Sequence, residues 1–375
     1  MPDIRVKRIL LIFGTRPEAI KMAPLVMEFA RHKDLFETRV CVTAQHRQML
    51  DQVLDFFQIN PDYDLNIMKT DQEPADVAAS VLTALRPVFN DFKPDYVMVQ
   101  GDTTSAVAAA LAAFYEGIPV CHVEAGLRTH TNKLPFPEEM NRQLISRMAD
   151  WNFAPTDTSK ENLTRENIPE TTILVSGNTV VDALLWTLKR AESEAGEEVS
   201  GIRYQVSGKP FILVTGHRRE NLGEGIDHIC EVLAELARTS EYDIVYPVHL
   251  NPKVHDPVYA RLQGIDGIHL IPPVSYPAFV WLMKECLFIL TDSGGIQEEA
   301  PALGKQVLVM REATERPEAL ESGMVKLIGT DPRRIISECR SLIGEPDTTF
   351  AQSAGSNPFG NGDAARRIVN FMMEL

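Results

Sequence analysis

Apolar runs and amphipathic stretches alternate along the chain. Residues 7–13, KRILLIF, are apolar at consecutive positions from Ile9 onward, as a parallel strand covered on both faces must be, and they run into Gly14-Thr15-Arg16-Pro17-Glu18 with a helix expected from about Ala19. Residues 37–43, apolar at Val40-Cys41-Val42, read as a second strand, followed by Ala44-Gln45-His46-Arg47-Gln48 and an amphipathic helix. A helix over 76–92 stops before Pro94, and a strand over 96–100 closes on Gly101-Asp102-Thr103-Thr104. An Ala-rich helix over 105–115 suits close packing on a sheet, and the next strand, 119–123, ends in Glu124-Ala125-Gly126-Leu127-Arg128. Residues 129–137 are polar and Pro-bearing, so they read as a loop that carries Glu138, Glu139 and Arg142 into a helix. A short strand over 151–154 and a run over 173–178 precede a helix over 180–190, and the Glu-rich residues 191–207 read as a solvated linker. Strand and helix in this alternation predict a doubly wound α/β domain.

After residue 207 the pattern restarts. LLIFGTRPE at 10–18 is echoed by ILVTGHRRE at 212–220, and YVMVQGDTTSAVAAALAAFYEGIPV by LFILTDSGGIQEEAPALGKQVLV. Two echoes in the same order imply two similar α/β halves, with a ligand expected between them. A turn cluster over 357–362 precedes a last helix, 364–373, whose docking place the pattern leaves open.

The second half holds the most informative stretch, 291–318. An apolar run over 286–290 reads as a buried strand, and Asp292-Ser293-Gly294-Gly295 as the turn into a helix with Ser293 at its N-cap. The two glycines let an anion approach the positive end of the helix, which makes a phosphate seat. One turn on, a carboxylate of Glu298 or Glu299 can accept bonds from the two hydroxyls of a ribose. A lone Ser-Gly-Gly is more often an ordinary turn. Here Pro301 and Gly304 end the helix early, and Arg311 and Thr314-Glu315-Arg316-Pro317-Glu318 follow a second buried strand at 307–310, which suggests a ligand crevice.

Composition sharpens this picture. A chain of 375 residues with 44% hydrophobic content supplies two cores. Its formal charge of −15 argues against a general nucleic-acid or anionic-membrane surface. Yet Arg16, Lys21, His217, Arg218, Arg219 and Arg316 fall near the carboxyl ends of predicted strands, a local concentration of cations that suits a diphosphate. Asp102, Glu124 and Glu138 fall at or beyond strand ends too, where they can serve as general acids and bases; alternatively Asp102 caps the following helix and Glu138 begins its own. His122 and Glu124 have no third ligand of metal-binding spacing, and Gly223-x-Gly225 is not a dinucleotide fingerprint, so neither a metal nor a held cofactor is expected. Five scattered cysteines read as reduced core thiols, and the apolar run at 9–13 is too short for a signal or a membrane span, which predicts a cytosolic protein.

Laid out this way, FGTRPEAIKMAPL, TAQHRQMLDQVL, GDTT, HVEAGLRT, PFPEE, GNTVVDALL, GHRREN, VYPVHLNP and TDSGGIQEEAP with TERPE resemble, over nearly the whole chain, the non-hydrolysing UDP-N-acetylglucosamine 2-epimerases. The resemblance implies two Rossmann-like domains in a glycosyltransferase-B arrangement with the active site in the interdomain cleft. The domains would be 1–175 with a returning 360–375, and 176–359. It also implies a homodimer and reversible C2 epimerisation to UDP-N-acetylmannosamine for polysaccharide or cell-envelope synthesis. By the same resemblance Asp102, Glu124 and Glu138 are acid/base groups, and Arg16, Lys21 and His217 lie at sugar and diphosphate. Ser293, Gly294 and Gly295 hold phosphates, Glu299 the ribose, Phe279 and the backbone near Val274 the uracil, and Arg316 completes the pocket. A second UDP-N-acetylglucosamine acting as activator would fall to Gln45, Gln48, Glu138, Arg218 and His249; Asp71 stands near where an Arg is expected, and His130-Thr131 departs from the usual loop. A hydrolysing epimerase, a glycosyltransferase and a catalytically silent UDP-sugar sensor stay open as alternatives.

Overall fold

The structure, a computed structural model, describes residues 5–44, 47–68, 72–194, 196–205, 208–216, 223–238, 241–344 and 357–375. The chain forms two compact units, 1–183 with 359–375 and 184–358.

Unit 1 runs β1 (Lys7–Phe13), α1 (Arg16–Phe29), β2 (Phe36–Val42), α2 (Arg47–Phe57), β3 (Tyr63–Asp64), α3 (Pro74–Phe92), β4 (Tyr96–Gln100), α4 (Thr104–Tyr115), β5 (Val120–Val123), α5 (Glu138–Met148), β6 (Trp151–Ala154), α6 (Asp157–Arg165) and β7 (Ile173–Val175). α7 (Thr179–Glu194) then carries the chain out of the unit. The strands pair in parallel in the order β3-β2-β1-β4-β5-β6-β7. On one face Val77, Val81, Leu85 and Phe89 of α3 and the alanines of α4 pack on Leu10, Ile12, Val97 and Val99. The alanines let α4 lie close to the sheet, as their size predicts.

Unit 2 runs α8 (Gly196–Gln205), β8 (Phe211–Thr215), α9 (Glu224–Ala237), β9 (Asp243–Pro247), α10 (Pro252–Leu262), β10 (Ile268–Ile271), α11 (Tyr276–Glu285), β11 (Ile289–Thr291), α12 (Ile296–Ala302), β12 (Val307–Val309), α13 (Pro317–Glu321), β13 (Val325–Leu327) and α14 (Pro332–Gly344). Its parallel sheet has the order β10-β9-β8-β11-β12-β13. The echoed segments therefore occupy equivalent places: β1, β4 and β5 are neighbours in one sheet, and β8, β11 and β12 in the other. In both, strand order reverses between the first and fourth strands, so the carboxyl ends there diverge and leave room for a ligand.

The last helix, α15 (Ala364–Glu374), returns to unit 1 and packs on α1. Its Ile368, Val369 and Met372 are fully buried, each contributing about 1.5–3 kcal/mol. Phe371 meets the rings of Trp151 and Phe153 edge-on, at 5.0 and 5.8 Å between centroids. Lys7 Nζ donates to the Met372 carbonyl at 2.8 Å, setting a cation at the negative end of the helix. No described helix is long and apolar enough to cross a membrane.

Three local expectations need correction. The described part of 191–207 is helical, because Val199 and Ile202 share a buried face. Its charges serve neighbours: Glu198 accepts from the Ser275 backbone at 3.1 Å, and the Arg203 guanidinium stacks 5.0 Å over Trp281. The apolar run at 286–290 is divided, Cys286 closing α11 and only Ile289 onward pairing as β11. α1 begins at Arg16 rather than near Ala19, since Thr15 and Glu18 form a capping box.

Candidate functional site

In unit 1 the chemistry gathers where β1, β4 and β5 end. After β1, Gly14 cannot be replaced without collision, as a Cβ there would stand 1.7 Å from Thr43 Oγ1. The N–H groups of Gly14 and Thr15 donate to Glu18 Oε2 at 2.9 and 2.8 Å. Glu18 Oε1 accepts from the Thr103 hydroxyl at 2.7 Å, which ties the turn after β1 to the turn after β4. Burial pushes the Glu18 pKa up against these bonds. Half-buried Arg16 opens α1 beside this tie.

Thr103 also caps α4, accepting from Ala106 N at 3.0 Å. The cap role that Asp102 was a candidate for thus belongs to its neighbour. Asp102 instead accepts from Arg142 of α5, and its carbonyl accepts from Asn141 Nδ2 at 2.9 Å. Beneath this turn His122 is wholly buried, with Nε2 2.8 Å from the Gly101 carbonyl and Nδ1 3.2 Å from Ser146 Oγ. Burial pulls its pKa down to about 4, so the ring is neutral and supports the Gly101-Asp102 turn as a hydrogen-bond donor.

Glu124 leaves β5 with φ 65°, a left-handed conformation that costs a non-glycine residue about 1–3 kcal/mol. This takes its side chain out of the strand alternation that would have set it on one face with His122. Its Oε2 accepts from Lys21 Nζ and from Asn178 Nδ2, the latter at 2.8 Å. The Lys21 ammonium, expected at a diphosphate, is buried against this carboxylate. Glu138 is half-buried on the first turn of α5. Its neighbour Glu139 is the one fully inside, accepting from the backbone N–H groups of Thr129 and His130 at 3.1 and 3.3 Å and so holding the start of the 129–137 loop.

In unit 2 the helix after β11 begins at Ile296 with Gly295 at the cap position, two residues beyond the expected Ser293 cap. The reason is Thr291, whose Oγ1 lies 2.6 Å from Thr215 Oγ1 and accepts from Ser293 N at 2.9 Å, drawing Ser293 into a turn before the helix. A Cβ on Gly295 would have only Glu299 Oε2 nearby, at 3.8 Å, so this backbone is open on that side. Glu299 Oε1 accepts from the buried Tyr276 hydroxyl at 2.8 Å. Glu298 and Glu315 hold Arg316, both at 2.5 Å, and Arg311 pairs with Glu315 at 3.1 Å; all four are buried. Arg316 is therefore set by carboxylates within its own unit. Val274 is buried just before α11, and Phe279 is half-buried on it. His249 is exposed after β9, accepting from Asn251 N at 3.1 Å.

His217, Arg218, Arg219, Gln45 and Asp71 lie outside the described residues, as does the side chain of Gln48. Among the described residues no group of three His, Cys, Asp or Glu is disposed to hold a metal ion. Sequence reading passed over Glu18, Glu139, Asn178 and Tyr276 as parts of the site. Only Glu18 carried a local signal, the Thr15-x-x-Glu18 capping box; the others act across distances along the chain that no spacing rule spans.

Residues 28–373 match the family described as UDP-N-acetylglucosamine 2-epimerase. The chain is 53% identical to the UDP-N-acetylglucosamine 2-epimerase of Salmonella typhimurium over 367 residues, covering 96% of this chain and 97% of that one. It is 52% identical to the enzyme of the same name from Escherichia coli K12, with 96% and 97% covered. The crystal structure of UDP-GlcNAc 2-epimerase from Neisseria meningitidis bound to UDP-GlcNAc superimposes with a TM-score of 0.93 at 47% identity, covering 98% of this chain and all of that one. The two parallel sheets are accordingly those of a glycosyltransferase-B type fold.

Proposed function

Since the chain belongs to the UDP-N-acetylglucosamine 2-epimerase family, and is thus an isomerase, we propose that it interconverts UDP-N-acetylglucosamine and UDP-N-acetylmannosamine by eliminating and re-adding UDP. C2 of the sugar bears an acetamido group and no neighbouring carbonyl, so its proton is too weakly acidic for simple removal and return. Elimination avoids that barrier: a base takes the C2 proton as the C1–O bond to UDP breaks, leaving 2-acetamidoglucal. UDP then adds back after protonation from the other face. The reaction needs carboxylates for proton transfer and donors for a leaving diphosphate.

The observation that carries this reading is Glu124, turned out of β5 at some conformational cost and held by Lys21 and Asn178 beside the Asp102–Arg142 pair. Such a conformation aims the carboxylate away from the sheet's packing faces, as a reacting group requires. Asp102, Glu124 and Glu138 exchange the protons, and Arg16 and His217 face the sugar and diphosphate. Lys21 acts on the reaction through Glu124. The Ser293-Gly294-Gly295 turn seats the diphosphate, Glu299 takes the ribose with Tyr276 behind it, Val274 and Phe279 take the uracil, and Arg316 closes that pocket.

Incubation in D2O tests the route. Both epimers should carry deuterium at C2, and epimer formed without deuterium would end the elimination reading. Proton NMR of the same sample distinguishes a hydrolysing enzyme, which releases free N-acetylmannosamine and UDP. A sensor would bind UDP without exchange, and a glycosyltransferase would be idle on the nucleotide sugar alone. Glu124→Gln and Asp102→Asn should each slow exchange about 10²- to 10⁴-fold while leaving UDP affinity nearly intact.

The proposal extends to a cytosolic homodimer that feeds polysaccharide or cell-envelope synthesis. Five buried free cysteines, whose thiols burial holds well above their ordinary range, suit a reducing compartment. Activation by a second UDP-N-acetylglucosamine through Gln45, Gln48, Arg218 and His249 should be weak, because the sequence has Asp71 near the position where the resemblance leads one to expect an Arg, and a carboxylate repels a diphosphate. Initial rates from UDP-N-acetylmannosamine, with and without a trace of the epimer, test this; near-complete dependence on the trace would overturn it.

A further inference from the structure

Asn178 stands just before α7, where the chain is about to leave unit 1, and is almost wholly buried. Its backbone N–H donates to the Phe359 carbonyl at 2.8 Å, and its Oδ1 accepts from Val180 N at 3.1 Å. Its Nδ2 donates to Glu124 Oε2 at 2.8 Å. The orientation of the amide is settled by chemistry: the Val180 N–H can only donate, so the oxygen must face it, and the NH2 is left toward Glu124. The same Glu124 oxygen receives the Lys21 ammonium from α1. Two donors from different elements thus converge on one oxygen, which fixes the plane of the carboxylate and turns Oε1 toward Gly101, where a Cβ would stand 3.9 Å away.

Asn178 is itself held by the chain's return into unit 1. Gly177 has φ 87°, and its backbone runs so close to the returning segment that a Cβ would sit 3.2 Å from the Phe359 carbonyl and 3.5 Å from the Ala364 side chain. Phe359 is fully buried. The outgoing and returning passages of the chain are therefore clasped together at the residue that touches Glu124.

We infer that Asn178 is a positioning residue of the epimerase reaction: its amide holds the Glu124 carboxylate in one orientation and favours its charged form. This rests on the reading of Glu124 as an acid/base group. A hydrogen bond to the charged form of a carboxylate lowers its pKa, so loss of the donor moves the titration upward. Among the described residues, the groups around Glu124 include the Lys21 ammonium from α1, neutral His122 from β5, and on the flanking turns the Arg128–Glu166 pair and Arg142, which is shared between Asp102 and the buried Glu139 at 3.5 Å.

Two substitutions separate this role from capping α7. Asn178→Asp keeps an oxygen for the Val180 N–H but presents an acceptor to Glu124; Asn178→Ser keeps a capping hydroxyl, carries no charge and is too short to reach. We expect KM to stay within about twofold while kcat for C2 deuterium exchange falls about tenfold or more in Asn178→Asp, and the acidic limb of its pH profile to rise by about one unit. Asn178→Ser should shift the limb the same way by less. An unmoved limb in both variants, whether kcat is intact or merely reduced along with Tm, overturns the inference. Glu124→Gln is measured alongside. If it keeps exchange, the reading of Glu124 fails and the inference with it; if it is inactive while both Asn178 variants behave as wild type, only the inference fails.

Discussion

Tyr276 donates its buried hydroxyl to Glu299 Oε1, and in doing so aims the carboxylate that we assign to the ribose. A neutral hydrogen bond of this kind is worth about 0.5–1.5 kcal/mol net. Tyr276→Phe should therefore weaken UDP binding about three- to tenfold by titration calorimetry and leave kcat close to wild type, since the bond is the same in ground and transition states. His122 offers a second check at this scale. The unfolded chain takes up a proton at this ring near its ordinary 6.5, whereas the folded protein holds it off until about 4. The stabilisation is thus complete above about 6.5 and is lost as pH falls toward 4, amounting to about 3 kcal/mol. Nitrogen-15 NMR should find His122 still neutral at pH 5, with the proton on Nε2; a ring charged at that pH would remove the neutral support proposed for the Gly101-Asp102 turn.

At the scale of elements, the N-terminus of α15 is capped from a distance. Asp182 of α7 accepts from the backbone N–H groups of Ala364 and Ala365 at 3.2 and 3.0 Å. Burial pushes its pKa up to about 6, from an ordinary 3.8. With the folded value raised, the group favours the fold at low pH, and that contribution is lost as pH rises through about 6. The charged cap is kept at neutral pH because two N–H groups need acceptors. Asp182→Ala should weaken α15 by about 1–2 kcal/mol, seen as faster hydrogen exchange of its amides. Unchanged exchange there would show that the apolar face alone holds the helix.

For the molecule as a whole, the two sheets repeat one strand order but carry different chemistry at equivalent ends: carboxylates after β4 and β5, a glycine-rich turn after β11. The residues assigned to UDP at that turn and along α11 belong to unit 2. UDP at about a hundred times its Kd should stabilise the state that binds it by about 2.7 kcal/mol. Exchange mass spectrometry should then find the new protection strongest in residues 274–299. Protection confined to unit 1 would refute the nucleotide seat.

Much of this was written in local pattern. Consecutive apolar residues can form strands only where both faces are covered, so β1 and β4 and their parallel sheet were legible, as were the two repeated halves and the turns that bear Asp102, Glu124 and Ser293. Helix and strand limits slipped where a side chain from elsewhere intervened, as Thr291 did at Ser293. What no spacing could reveal is which charge meets which. The sequence places Lys21 near a strand end but not beside Glu124, and nothing in the spacing of Asn178 shows its amide on the same carboxylate. Periodicity is decided by each residue's own backbone, and so the sequence carries it; pairing in a buried site is decided by desolvated groups that must find partners wherever the fold places them, and only the tertiary structure decides that.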